Sequence, residues 1–302
     1  MDIRSLRYFV EVVQLNGFSR AAESLFVTQP AISRSIKKLE DELGYTLLTR
    51  EVDGVKLTEE GDILLAHAKQ ILSQFGNMKK ALLERSGPIS GVLPVGLPPV
   101  IASTYFADII MAFSQRYPQV ELKILELGTR KMREAMLNGD VETAAVMLPF
   151  ADERFEVHPF STDRLMLLVS NQHPLSIREF VKFSEIVDEP FIFFSDDFLI
   201  NELVVSACGI YGKKPTISGR SSHLDLVTAM VRAGVGITLL PDSMWKNTSS
   251  VGLSVIPVIE PILAYDIALA TVKNHHQSRR AQAWHDLALD MLRIREVWVR
   301  LA

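Results

Sequence analysis

The chain has 302 residues, 48% of them hydrophobic and 23% charged, with a formal net charge of −4 and a pI near 6.0. This is the composition of an ordinary soluble protein of more than one domain, and its overall charge does not by itself point to nucleic acid. The lone Cys208 excludes an internal disulfide and fits a reducing cytoplasm. Followed by Gly209, it reads as a small packing residue rather than a redox sensor. Asp2 and Arg4 open a polar, helical start rather than a signal peptide. The apolar stretch 251–272 is broken by Pro257, Glu260, Pro261 and Asp266, so no membrane span is expected.

In chain order, residues 16–44 carry the first strong signal, two short helices joined by a tight turn. Gly17 and Phe18 close a turn before Ser19, whose hydroxyl is expected to cap a helix beginning at Arg20. Ala21, Ala22, Leu25 and Phe26 supply one small, apolar face. Thr28 is the expected cap of the next helix, with Pro30 in its first turn, where no amide hydrogen is needed. Ile32, Ile36 and Leu39 turn inward at helical spacing, leaving Ala31, Ser33, Arg34, Ser35, Lys37 and Lys38 outward. That is the layout of a helix-turn-helix whose second helix enters the DNA major groove. Gln29 can pair with an adenine and Arg34 with a guanine or a phosphate. The plain alternative is a helical pair with a solvated charged face, but cap, turn, core spacing and cation placement agree on the reader. Residues 1–58 hold eight Lys and Arg against eight Asp and Glu. Such a weakly charged reader should depend on dimerisation and a few placed contacts.

These residues resemble the N-terminal domain of LysR-type transcriptional regulators. The match runs through Leu6, Phe9, Val13, Gly17, Phe18, Ser19, Ala21, Ala22 and Leu25. It continues with Gln29, Pro30, Ala31, Ser33, Ile36, Leu39, Glu40, Leu43 and Gly44, and closes with Arg50, Leu57, Thr58 and Gly61. The chain departs from the family at Leu48, where Phe is usual, and at Asp53, where a basic residue is common. With Glu51 this makes an acidic wing, leaving Arg50 and Lys56 as its DNA-contacting candidates beside Ser19 and Arg20 on the first helix.

Residues 59–85 read as one long helix without Pro, spanning roughly 40 Å. Leu64, Ala68, Ile71, Phe75, Met78 and Leu82 alternate in steps of four and three, a coiled-coil seam rather than a face packed on the helix's own domain. The resemblance implies that such linker helices pair two subunits. Ser86, Gly87 and Pro88 end the helix, and Ser90 and Gly91 extend a hinge.

Beyond Gly91, strands are expected at 92–97, 120–127 and 143–148, alternating with helices at 102–116 and 129–138, a βαβαβ order that predicts a parallel sheet. A second unit has strands at 165–169, 191–194, 216–219 and 236–240 and helices at 201–211 and 223–233. A strand at 264–271 and a helix at 278–301 remain. The segments FSQRYPQVEL, LNGDVETAAV, HPLS and MVRAGVGITLLP look like signposts of the family's effector domain, with Glu142 where Asp is commoner. The resemblance therefore covers essentially the whole chain. It implies two subdomains similar to periplasmic binding proteins, with crossovers near 161–163 and 263–266. GLPP at 96–99 is also similar to a CidR-like subgroup, regulators linked to overflow metabolism.

Little enzyme chemistry is visible. Gly234 and Gly236 lack a third glycine and a lysine, His275 and His276 sit in a polar turn, and Ser222, His223 and Asp225 open a helix. Asp196 and Asp197 fit a turn. No cofactor and no metal are expected. A ligand cleft is better motivated, because ligands of open α/β sheets sit at the C-terminal ends of strands beside helix N-termini. Thr129 falls where the resemblance places a ligand-contacting hydroxyl. Ser103, Ser195, Ser222, His223, Pro99, Val100, Met147 and Phe198 fill the other strand ends. Val100 stands where relatives have Ser, and Pro98 and Pro99 stiffen that loop, so a small, partly apolar carboxylate is the expected effector.

The expected architecture is α+β and multidomain: a winged helix-turn-helix at 1–58, a dimerisation helix at 59–87 and an α/β effector domain at 88–302. Its first subdomain takes 92–161 plus 265–302, and its second 162–264. The expected function is a cytoplasmic, ligand-responsive regulator that binds a double-stranded DNA operator with an inverted repeat as a dimer, or as a tetramer of paired dimers. The rivals are a small-molecule binding protein with a helical assembly domain, and an α/β enzyme.

Overall fold

A computed structural model describes residues 1–51, 54–83, 87–245, 251–275 and 277–301, without the side chains of Arg50, Asn77, 79–83 and 294–301. Two expected site residues, Arg50 of the wing and Leu82 of the seam, thus have side chains outside the described set. The chain divides into an N-terminal unit, Met1–Ser86, and a larger unit that starts at Gly87.

The N-terminal unit contains α1 (Ile3–Gln14), α2 (Phe18–Ser24), α3 (Gln29–Leu43), β1 (Leu48–Glu51), β2 (Gly54–Leu57) and α4 (Glu59–Leu83). α1 opens with a reciprocal cap, the Asp2 carboxylate accepting from the Ser5 amide at 2.7 Å. Phe9 and Val12 of α1, Ala21 of α2 and Ile32, Ile36 and Leu39 of α3 close one core. β1 and β2 pair antiparallel from Leu48↔Leu57 to Glu51↔Gly54, forming the wing.

Three expectations change here. α2 begins at Phe18 with Gly17 as its N-cap, so Ser19 lies inside the helix and caps nothing. Phe26 leaves the apolar face because it follows the helix with a left-handed φ of 54°, and it is 95% exposed. The seam on α4 also divides. Ala68 is fully buried in the unit's own core and Leu64 packs beside it, so the early turns of α4 face inward within one chain. Ile71, Phe75 and Met78 remain exposed. A four-three repeat cannot distinguish a partner helix from the helix's own domain, and here it serves both in succession.

The larger unit begins with β3 (Gly91–Gly96), then α5 (Pro99–Ile101), a π-type segment (Ala102–Phe106) and α6 (Ala107–Arg116). β4 (Val120–Leu125), α7 (Thr129–Leu137), β5 (Thr143–Met147) and the long β6 (Phe155–Ser170) follow. Next come β7 (Val181–Lys182), α8 (Phe183–Ile186), β8 (Pro190–Phe194), α9 (Ile200–Ile210), β9 (Thr216–Ser221) and α10 (Leu224–Arg232). β10 (Thr238–Pro241), α11 (Asp242–Trp245), β11 (Leu253–Ile259), β12 (Ala264–Val272) and α12 (Arg279–Leu301) complete it.

β3 pairs parallel with β4 and β5, as the βαβαβ pattern predicts, but β12 joins antiparallel between β5 and β6. The first subdomain's sheet is therefore mixed. β6 is the crossover. It pairs with β12 up to Arg164↔Ala264 and with β10 and β11 from Leu165 and Pro257↔Met166 onward. One continuous strand thus serves two sheets, and β12 returns the chain at Ala264. β8 and β9 pair parallel in the second subdomain.

Burial explains the register. All five residues of β5 are buried, as expected for a strand covered on both faces. Ala281, Trp284, Ala288 and Leu292 of α12 are buried at helical spacing. The Trp284 ring meets Phe113 edge-on with centroids 5.2 Å apart and stacks near Phe106 at 6.2 Å. Among the described residues no helix is long and apolar enough to cross a membrane.

Candidate nucleic-acid interface and effector cleft

α3 carries its polar residues along one side. Arg34, Lys37 and Lys38 are exposed and Gln29, Ala31 and Ser33 half-buried, while Ile32, Ile36 and Leu39 anchor the opposite side. Thr28 is the N-cap, with extended backbone at φ −83°, yet its hydroxyl makes no capping bond, and Pro30 sits in the first turn. The first amides of α3 are thus free of a side-chain cap, the condition under which a helix start attracts a phosphate. Arg34 Nε donates to the Pro30 carbonyl at 3.3 Å, a bond within one turn that a stronger acceptor can replace. Ser19 and Arg20 are exposed at the start of α2, and the Arg20 guanidinium donates to the Asn16 carbonyl.

The wing is tied to this helix through Glu40, whose Oε1 accepts from the Leu47 and Leu48 amides at 2.8 and 3.3 Å. Lys56 is exposed and lies 3.9 Å from Glu51, an ion pair too loose to hold it from a phosphate. A groove of about 620 Å³ runs beside α3, lined in part by Ser33, Lys37, Asp41 and Tyr45.

In the larger unit, the start of α7 meets the loop after β8. Asn201, buried at 8% exposure, shapes that loop. Its Oδ1 accepts from the Phe194 amide at 3.0 Å, and its Nδ2 donates to the carbonyls of Phe194 at 2.9 Å and Ser195 at 3.0 Å. The loop then brings Asp197 to α7, where its Oδ2 accepts from the Gly128 amide at 2.9 Å. The Arg130 amide donates to the Asp197 carbonyl at 3.2 Å. Only glycine fits at 128, because a Cβ there would lie 2.3 Å from the Asp197 carbonyl oxygen. Arg130 and Glu202 add an ion pair between the same elements, and Arg220 pairs with Asp196 at 2.6 Å.

The expected ligand residues divide accordingly. Thr129 and Met147 come together at the core, the Thr129 hydroxyl accepting from the Met147 amide at 3.3 Å and both side chains at 4% exposure. Phe198, stacked on Phe194, follows Asp197 against Gly128. Val100 is buried, and its carbonyl accepts from the Ser103 and Thr104 hydroxyls. Pro99 and Ser195 are half-buried, while Ser103, Ser222 and His223 are exposed. The Thr129 hydroxyl is therefore a structural acceptor here, and the α7 amide beside it is taken by a carboxylate of the chain itself.

Residues 3–62 match the profile of the bacterial regulatory helix-turn-helix protein, lysR family, and residues 86–293 that of the LysR substrate binding domain. The chain belongs to the LysR family. This LysR protein is a ligand-responsive, DNA-binding transcriptional regulator, and its relatives are regulators rather than enzymes. It is 34% identical to the HTH-type transcriptional regulator YwbI of Bacillus subtilis over 94% of both chains. It is 31% identical to the transcriptional dual regulator GltC of the same organism, over 96% of this chain and 97% of that one. Full-length OxyR from Pseudomonas aeruginosa has a similar structure, with a TM-score of 0.69 at 26% identity over 97% of this chain and 95% of that one.

Several functional groups of this LysR regulator escape a sequence reading. Tyr105, on the π-type segment, bonds Ser161 at 3.1 Å and donates to Ser243 at 3.0 Å, and the Ser243 amide donates to Asp163 at 2.9 Å. These polar contacts gather where β6 crosses between subdomains. Burial pushes the neighbouring Tyr265 hydroxyl far above its ordinary range, which keeps it neutral. Glu40, Asn16 and Asp197 act across the fold, and only Asp197 carried a sequence signal, as one half of an acidic pair.

Proposed function

We propose that this regulator reads an inverted-repeat operator with α3 as a dimer, pairs its dimers into a tetramer, and is switched by a small carboxylate in the effector cleft. Gln29, Ser33 and Arg34 take the base edges, while Ser19, Arg20, Thr28, Pro30, Ala31, Lys37, Lys38, Arg50 and Lys56 surround the phosphates. Ile71, Phe75 and Met78 are the exposed apolar steps of α4 and supply its pairing face.

The observation that carries the effector reading is Asp197 on the Gly128 amide. It lies at the C-terminal end of β4 and the N-terminus of α7, where an open α/β sheet receives anions. A protein carboxylate in that position supports an effector of the same chemistry. Phe198 and Met147 make the surroundings partly apolar, which suits a short organic acid better than a multiply charged anion. The effector competes with Asp197, and the closed arrangement held by Asp197 and Glu202 gives way to one with the acid bound.

Some relatives carry the name hydrogen peroxide-inducible genes activator. A thiol switch is disfavoured in this chain. Cys208 is its one cysteine and is fully buried, and burial pushes its thiol up, away from the reactive thiolate. The test is a thermal-shift series on the full chain with acetate, pyruvate and succinate. A rise in melting temperature that scales with one acid supports the carboxylate reading. A flat response to every acid, with stabilisation by an uncharged or cationic metabolite, contradicts it.

A further inference from the structure

The turn between α1 and α2 does more than end a helix. Asn16 sits there with φ of 48°, a left-handed conformation that Asn tolerates because its short side chain bonds locally. Its Oδ1 accepts from the Val55 amide at 2.9 Å, across 39 residues of sequence. Its backbone carbonyl accepts from the Arg20 guanidinium. Val55 lies on β2 opposite Arg50 and next to Lys56, so one residue holds both the wing and the first cation of α2.

The facing residue is built for this contact. Gly54 has φ of +138°, and a Cβ there would lie 2.4 Å from the Asn16 Oδ1. A two-stranded hairpin alone is marginal in water, and an edge amide needs an acceptor. Glu40 secures the wing at its base, at Leu47 and Leu48. Asn16 secures it near its tip.

We propose that Asn16 is a positioning residue of the DNA interface, fixing the wing and Arg20 on one turn so that both reach the phosphate backbone as a unit. This rests on the reading that Arg20 and Lys56 face DNA. Asn16 touches no phosphate in this account and acts through Val55 and Arg20.

The test is a double-mutant cycle on the full-length protein, with binding to a mixed-sequence DNA duplex followed by fluorescence anisotropy across a salt series. Lys56→Ala should make the plot of log affinity against log salt shallower by about 1, the signature of one lost phosphate contact. Asn16→Gly keeps the tolerance of positive φ and deletes Oδ1. It should produce a similar loss, and Lys56→Ala added to it should cost nothing further. Asn16→Asp keeps an acceptor for Val55 and should retain the Lys56 effect. A thermal melt of each variant shows whether it is folded. If Lys56→Ala costs the same with and without Asn16, or if Asn16→Gly lowers the melting temperature but leaves the salt slope at the wild-type value, the positioning role is overturned. If Lys56→Ala has no effect in the wild type, the wing-to-DNA reading itself fails.

Discussion

Asp197 places its Oδ2 2.9 Å from the Gly128 amide nitrogen, so the subdomain that contains β8 supplies an anion to the helix start of the subdomain that contains β4. Closure of the effector domain is in this sense already satisfied by the protein. An effector carboxylate must offer the Gly128 amide more than Asp197 does, and what it gains is measured against that bond.

Removing Asp197 should therefore have two opposite effects. Asp197→Ala should destabilise the ligand-free protein by about 1–2 kcal/mol, the range for a hydrogen bond to a charged group that is partly solvated. It should also tighten binding of a responsive monocarboxylate severalfold, because its competitor is gone. Calorimetric titration of wild type and variant with the same acid checks both, and weaker binding by the variant would reject competition.

Arg34→Ala should weaken DNA binding without altering the melt, since Arg34 is exposed and bonds only within its own helix turn. A good bidentate base contact contributes about 1–3 kcal/mol, so a gel-shift titration on a selected operator should show at least a severalfold loss. Unchanged affinity would remove Arg34 from the reading face.

Phe75→Asp should split the α4 pair. Phe75 is 48% exposed beside Ile71 and Met78, and a carboxylate in a seam has no partner there. Light scattering should show a smaller species, whereas Ala68→Asp should unfold the N-terminal unit instead, because Ala68 is fully buried within it. A Phe75→Asp protein with wild-type mass would place the dimer contact elsewhere.

Acid should weaken the larger unit through His285. Burial, then the neighbouring His158, pushes its pKa below the ordinary 6.5. The folded state therefore holds the ring neutral while the unfolded chain takes up the proton more readily. Stability is complete above pH 6.5 and is lost as pH falls from there through the lower folded value. His285→Gln should flatten that part of the melting profile. A slope unchanged by the substitution would assign the acid sensitivity to other groups.

How much of this was legible in the chain follows from range. The recognition helix was readable because Thr28, Pro30 and the Ile32–Ile36–Leu39 spacing are local signals, and the order of elements from β3 to β5 because it needs only alternation. Two strands were hidden by proline. Pro159 lies within β6, at an irregular register against β12, and Pro257 lies within β11 opposite Met166; a residue without an amide hydrogen usually marks the end of a strand. Phe26 and Ser19 were misplaced by one turn, since capping rules put a hydroxyl where Gly17 stands. Ala68 was assigned to a partner because periodicity records that a face is apolar and not what covers it. Asn16 and Asp197 make their contacts 39 and 69 residues away, and no local pattern reports those distances.

The most direct test of the central claim is a DNA-protection footprint on an operator selected from a randomised duplex pool, with wild-type protein and Asp197→Ala side by side. The account predicts the same bases read by both, because Asp197 is not part of the reading face, with a different length or spacing of protection, because the effector domains have left their closed setting. Identical footprints that also fail to respond to any acid that binds the protein would contradict it.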